Sequence, residues 1–138
     1  MSRRAARVAY YIAALITLAS GILVGCQRIQ PVYEVKHHPL PMAAQTLTLH
    51  QIENNIIRAG QMHGWQIEPT GTGELRASTQ WRTHSATASI RFDNHFYDII
   101  YQSSVNLLEG DGTIHKEYNR RIRSLESEID KSLYYPIK

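Results

Sequence analysis

Apolar and polar positions follow two periods along this chain, and the places where the period changes mark its elements. From Leu49, the apolar residues Ile52, Ile56, Ala59 and Met62 come at steps of three and four, one stripe of an amphipathic helix. Thr48-Leu49-His50-Gln51 has the form of a capping box, with Leu47 and Ile52 placed as a hydrophobic staple. Gly64 follows His63 where a helix end needs a left-handed residue, so the pattern predicts a helix over about 49–63. The period then drops to two. Leu75, Ala77, Thr79 and Trp81 share one strand face, and Ala86, Ala88, Ile90 and Phe92 share the next. If Asn94-His95 is a two-residue turn, Phe92 faces Tyr97, Ile90 faces Ile99, and Arg91 stands opposite Asp98. Tyr97, Ile99 and Tyr101 then point inward. The preceding hairpin is expected to turn at Thr83-His84, with Trp81 facing Ala86. That turn has neither Gly nor Asn, so a bulge is expected there.

After the break at Glu109-Gly110-Asp111-Gly112, the helical period returns. Thr113 is the expected cap, and Ile114, Tyr118, Ile122, Leu125, Ile129 and Leu133 form the stripe. Lys116, Arg120, Arg123, Glu126 and Asp130 fall on the opposite, charged face. The expected fold is α+β, in the order α-β-β-β-β-α. It is a four-stranded antiparallel meander with an N-terminal and a C-terminal helix packed on one face. Small residues at Ala77, Ala86 and Ala88 would let a helix approach the sheet.

The N-terminus has a different pattern. Arg3, Arg4 and Arg7 precede any acid, and the 17 residues from Val8 to Val24 carry no charge. This is the layout of a secretory leader. It ends in Leu23-Val24-Gly25-Cys26, which resembles a bacterial lipobox: branched residue, small or apolar residue, Gly or Ala, then Cys. The resemblance implies a diacylglycerol on the Cys26 thiol, cleavage just before it and acylation of the new amino group. Two other readings of the run exist. A transmembrane anchor of that length would reach about 26 Å at ~1.5 Å per residue, short of a hydrocarbon core of ~30 Å. An ordinary buried free cysteine would not need this context.

Cleavage changes the charge balance. Three arginines leave with residues 1–25, so 15 basic residues become 12, against 12 acidic ones. The basicity of the whole chain therefore belongs to the leader and is no footprint of nucleic acid. With Cys26 acylated no thiol remains for a disulfide, so the domain must stand on its core alone. Residues 26–46 contain three prolines and no clean period, and read as a lipid-anchored linker before a domain at 47–138. The adjacent His37 and His38 lack any partner motif for a metal. No metal or cofactor is expected.

From Leu47 to Ile129 the chain resembles a family of small, uncharacterised proteobacterial lipoproteins. The residues that carry the resemblance are Gly64-Trp65, Gly73-Glu74-Leu75-Arg76-Ala77, His84 and Tyr97-x-Ile99-x-Tyr101. They continue with Ser104-x-Asn106-Leu107 and Ile114-His115-x-x-Tyr118-Asn119. The chain departs from that pattern at Ser103, where such proteins tend to have Asp, and at Arg121, where they tend to have Trp. The resemblance implies a lipid-anchored envelope domain and no particular activity.

The candidate binding residues are His84, Ser104, Asn106, His115, Tyr118 and Asn119, read as a polar cluster at one end of the sheet. The competing reading has these side chains satisfying backbone groups where strand turns into helix. Neither Gly-x-Ser-x-Gly nor His-Glu-x-x-His occurs, and catalysis is not expected. The outer sheet face is expected to be polar and rich in arginine, with Arg76, Arg82 and Arg91. The functional expectation is a non-catalytic binding or structural module on the outer membrane, facing the periplasm, with an envelope protein as partner. The alternative is a carrier or sensor of a small ligand or cell-wall fragment at the polar cluster. Outer-membrane placement rests on Gln27, because an Asp beside the acylated cysteine favours inner-membrane retention.

Overall fold

The computed structural model describes residues 28–137; Cys26 and residues 1–25, read above as a leader, lie outside the described residues. The order of elements is β1 (Ile29–Pro31), β2 (Val35–Pro39), α1 (Met42–Gln45), α2 (Leu49–Met62), β3 (Gln66–Gly71), β4 (Glu74–Trp81), β5 (His84–Phe92), β6 (Phe96–Val105), β7 (Thr113–His115) and α3 (Lys116–Tyr134). The fold is α+β. Five antiparallel strands form the main sheet in the order β2-β6-β5-β4-β3, and β1 pairs with β7 in a small second sheet. Among the described residues no helix is long and apolar enough to cross a membrane.

The expected four-stranded meander is therefore β3 to β6, and the main sheet has a fifth strand. That strand comes from the segment read as a linker. Residues 29–45 supply β1, β2 and α1, and Val35, Leu40 and Ala44 are buried in the core. Each piece is too short to show a period. Pro39 ends β2 at the sheet edge, where a missing N–H costs nothing, and Pro41 precedes α1 in extended conformation. Tyr33 N–H donates to Asn119 Oδ1 at 2.9 Å, and Asn119 Nδ2 donates to the Pro31 carbonyl at 2.8 Å. A buried asparagine of α3 thus grips the incoming chain.

Asn119→Ala should cost about 1–3 kcal/mol, because it strands two backbone groups at a buried position. Chemical denaturation measures the loss, and hydrogen exchange should show the Tyr33 amide losing protection first. A neutral substitution would mean that residues 29–39 hang free.

The first long helix forms as its local signals require. Gln51 N–H donates to Thr48 Oγ1 at 3.2 Å and Thr48 N–H to Gln51 Oε1 at 2.9 Å, closing the capping box. At the other end Trp65 N–H reaches back to the Gly60 carbonyl at 3.0 Å and Gly64 N–H to Gln61, with Gly64 at φ +79°. Met62, assigned to the stripe, is instead the last residue of the helix and is exposed. Gly60 is needed for a different reason. A Cβ there would sit 2.1 Å from Ile67 Cδ1 and 3.5 Å from Leu125 Cδ1, so α2 can approach β3 and α3 only without a side chain.

The β5–β6 register is the expected one, Phe92 with Tyr97 and Ile90 with Ile99. It slips between Thr87 and Ala88, where Gln102 is an extra residue on β6. Arg91 does stand opposite Asp98, but the two find other partners. Arg91 Nε lies 3.9 Å from Glu74 Oε1, and Asp98 accepts the N–H of His37 on β2. The other hairpin differs from expectation: Trp81 pairs with His84, not Ala86, and the turn is Arg82-Thr83. Ala86 keeps the inward face because the shift is by two residues.

Thr113 does not cap the last helix either. Residues 113–115 form β7, and His115 is the cap, its Nδ1 accepting Glu117 N–H at 3.2 Å. The predicted stripe is nonetheless fully buried from Ile114 to Leu133. Leu75, Ala77, Ala88, Ile90, Tyr97 and Ile99 are buried on one face of the sheet, and the other face carries Arg76, Gln80 and Arg91 toward solvent.

Candidate functional site

At the end of the sheet where the β4–β5 turn meets the start of α3, a cleft of about 540 Å³ opens. Strand ends supply Trp81, Arg82 and His84. The loop after β6 supplies Leu107, and the start of α3 supplies His115, Glu117, Arg120 and Arg121. The turn has no glycine, yet Arg82 takes φ +50°. Asn106 makes this tenable. Its Nδ2 donates to the Thr83 carbonyl at 2.7 Å, and its own carbonyl accepts from His84 Nδ1–H at 2.8 Å. The carbonyl can only accept, so the proton of His84 is on Nδ1. His115 is the converse: it accepts at Nδ1, which leaves any proton of the neutral ring on Nε2.

The wall of the cleft is a cation stacked on an indole. The Arg121 guanidinium carbon lies 4.0 Å from the Trp81 ring centroid, and the His84 ring stands 5.6 Å from the same indole. Arg121 Nε is buried and has no hydrogen-bond partner, its nearest carboxylate oxygen being Glu117 Oε1 at 3.9 Å. Burial lowers the pKa of Arg121 from its ordinary value, although an arginine stays charged. Glu117 is taken up by Arg120, whose hydrogen bonds hold its carboxyl below the usual value. Three arginines thus face one carboxylate, so the cleft has surplus positive charge.

The six residues picked from the sequence divide three ways. His84 and His115 meet in the cleft, with Asn106 bracing the turn beside it. Ser104 Oγ and Tyr101 Oη lie 3.1 Å apart, and the Tyr101 ring meets Tyr118 edge-on at 5.4 Å. The Tyr118 hydroxyl is buried without a partner, and burial pushes its pKa well above that of a free tyrosine. Asn119 lies apart from both groups and holds the N-terminal segment. Asn106, His115 and Asn119 do satisfy backbone groups, as the competing reading held. Sequence reasoning did not place Trp81, Arg82, Glu117, Arg120 or Arg121 among the candidate binding residues. The Arg120-Arg121 pair in the first turns of a helix was the available signal, since a helix N-terminus already favours anions.

A second polar cluster ties the edge strand to α3. His38 Nδ1 lies 3.5 Å from Glu126 Oε1, and its Nε2 lies 3.3 Å from Asp130 Oδ1. Tyr33 donates to Glu126 at 2.7 Å and Tyr97 to Asp130 at 2.8 Å. These carboxylates are one helical turn apart, and each is engaged by its neighbours, so the cluster works as a clasp. Among the described residues no group of three or more His, Cys, Asp or Glu is arranged to hold a metal ion.

No protein-family model matches the chain, and no curated protein or solved structure does.

Proposed function

We propose that this protein is a cell-envelope lipoprotein held by acylated Cys26 at the periplasmic side of the outer membrane. Its domain binds a ligand and does not transform one. The site is the Trp81–Arg121 cleft, and the ligand is a small anion-bearing molecule such as a cell-wall fragment with free carboxylates. The observation that carries this reading is the surplus positive charge of a cleft whose wall is the Arg121 guanidinium stacked on Trp81. A carboxylate or phosphate in the cleft would be held there by charge-assisted hydrogen bonds to its arginines. The packing of Arg121 on Trp81 holds the guanidinium ready, so little side-chain entropy is lost on binding.

Soluble muropeptides titrated against the protein, followed by Trp81 fluorescence in a Trp65→Phe background, should give a saturable signal. Arg121→Ala should weaken binding about tenfold or more, as a charged hydrogen bond of ~1.5–3 kcal/mol implies. The muropeptides should be recovered unchanged in mass. An equal affinity in Arg121→Ala would move the site elsewhere. Absence of saturation in the parent would remove cell-wall fragments as ligands.

A further inference from the structure

We infer that the domain lies directly on the membrane, with the corner formed by Arg28, Lys116 and Leu108, beside the cleft, against an anionic phospholipid surface. The inference rests on the proposed acylation of Cys26 and goes beyond it by fixing an orientation. A linker of twenty residues would leave the domain free to tumble at a distance, but the folded chain begins much earlier. The Arg28 carbonyl already accepts Lys116 N–H at 2.7 Å, and Ile29 pairs with His115. Only Gln27 stands between Cys26 and Arg28. Two residue steps span at most about 7 Å, so the acyl chains can reach the bilayer only if this end of the domain is against it.

The surface at that end suits such a neighbour. Arg28 and Lys116 are exposed and close to the attachment point, and the Lys116 N–H bonds the Arg28 carbonyl. The acids Glu109 and Asp111 are exposed on the preceding loop. Asp111 lies beside Gly112, whose carbonyl accepts Val32 N–H, about 13 Å along β1 from Arg28. Arg28 and Lys116 thus bring two positive charges to the anchor end, with Glu109 the exposed acid nearest them in the preceding loop, and each Lys or Arg near an anionic surface is attracted to it. Leu108 follows Leu107, whose carbonyl accepts His115 N–H, so it sits at the same end. It is 69% exposed and held at φ +55°, a left-handed conformation that a leucine rarely adopts. An apolar side chain held outward beside basic residues is placed to enter the headgroup layer.

The test uses the full acylated chain in vesicles of phosphatidylethanolamine and phosphatidylglycerol that contain a headgroup-nitroxide lipid. With Cys26 acylated, a fluorophore can be placed on a new cysteine at Leu108→Cys, at Val105→Cys, or in the far turn at His95→Cys. The far turn is about 30 Å away along β6. Severalfold stronger quenching at 108 and 105 than at 95 is the expected result, and replacing phosphatidylglycerol with phosphatidylcholine should reduce the contrast. Equal quenching at the two ends, or none at either, would overturn the orientation. A contrast unchanged on phosphatidylcholine would overturn the recognition of anionic lipid. Failure of the anchor is read separately: an intact mass without acyl groups would sink the lipoprotein assignment, and this orientation with it.

Discussion

Leu125→Ala should cost about 2–5 kcal/mol and leave a protein that melts far earlier or fails to accumulate. Leu125 is fully buried in the middle of α3, and its Cδ1 lies against Gly60, where α2 comes closest. Truncation opens a cavity at a contact that cannot readily close, because α2 is also held against Ile67 of β3. A domain of this size has roughly 5–15 kcal/mol in total, so the loss is a large share of it. Arg123→Ala is the control. Arg123 is exposed, with its guanidinium carbon 4.2 Å above the Tyr33 ring, and removing it should cost about 0.5–1 kcal/mol. Urea melts of the chain from Gln27 onward compare the two. A start at residue 40 would remove β1 and β2 and test a different object. Equal effects would mean that the face of α3 turned to the sheet has been misassigned.

Cys26→Ser should abolish incorporation of a fatty-acid analogue and leave the leader uncut, because the acyl acceptor at this step must be a thiol. The unmutated protein should fractionate with outer-membrane markers, and the variant should not. Several acyl chains make release negligible, since each buried CH₂ contributes about 0.8 kcal/mol. Undiminished labelling of Cys26→Ser would remove the anchor. Recovery of the parent with inner-membrane markers would remove only the sorting argument from Gln27. The stability of the folded domain should be the same in both proteins, which separates a targeting defect from a folding one.

What was legible in the sequence was whatever neighbouring residues decide among themselves. The capping box at Thr48 and Gln51, the turn-back at Gly64 and the stripe from Tyr118 to Leu133 each need only a few turns of chain. The inward faces of β4, β5 and β6 could be read because one covered face imposes a period of two over eight or more residues. Tertiary structure decided the rest. Val35 belongs to the core because β6 offers it an edge, a fact with no trace in five residues that include two histidines and a proline. The β4–β5 turn falls at Arg82-Thr83 because Asn106, more than twenty residues away, braces it. Arg121 meets Trp81 only once α3 has packed across the sheet, so the cleft could not be read from either residue alone. The lipobox at Cys26 was a sequence reading throughout. How early the folded domain begins was decided by β1 and β7, whose pairing joins residues more than eighty apart.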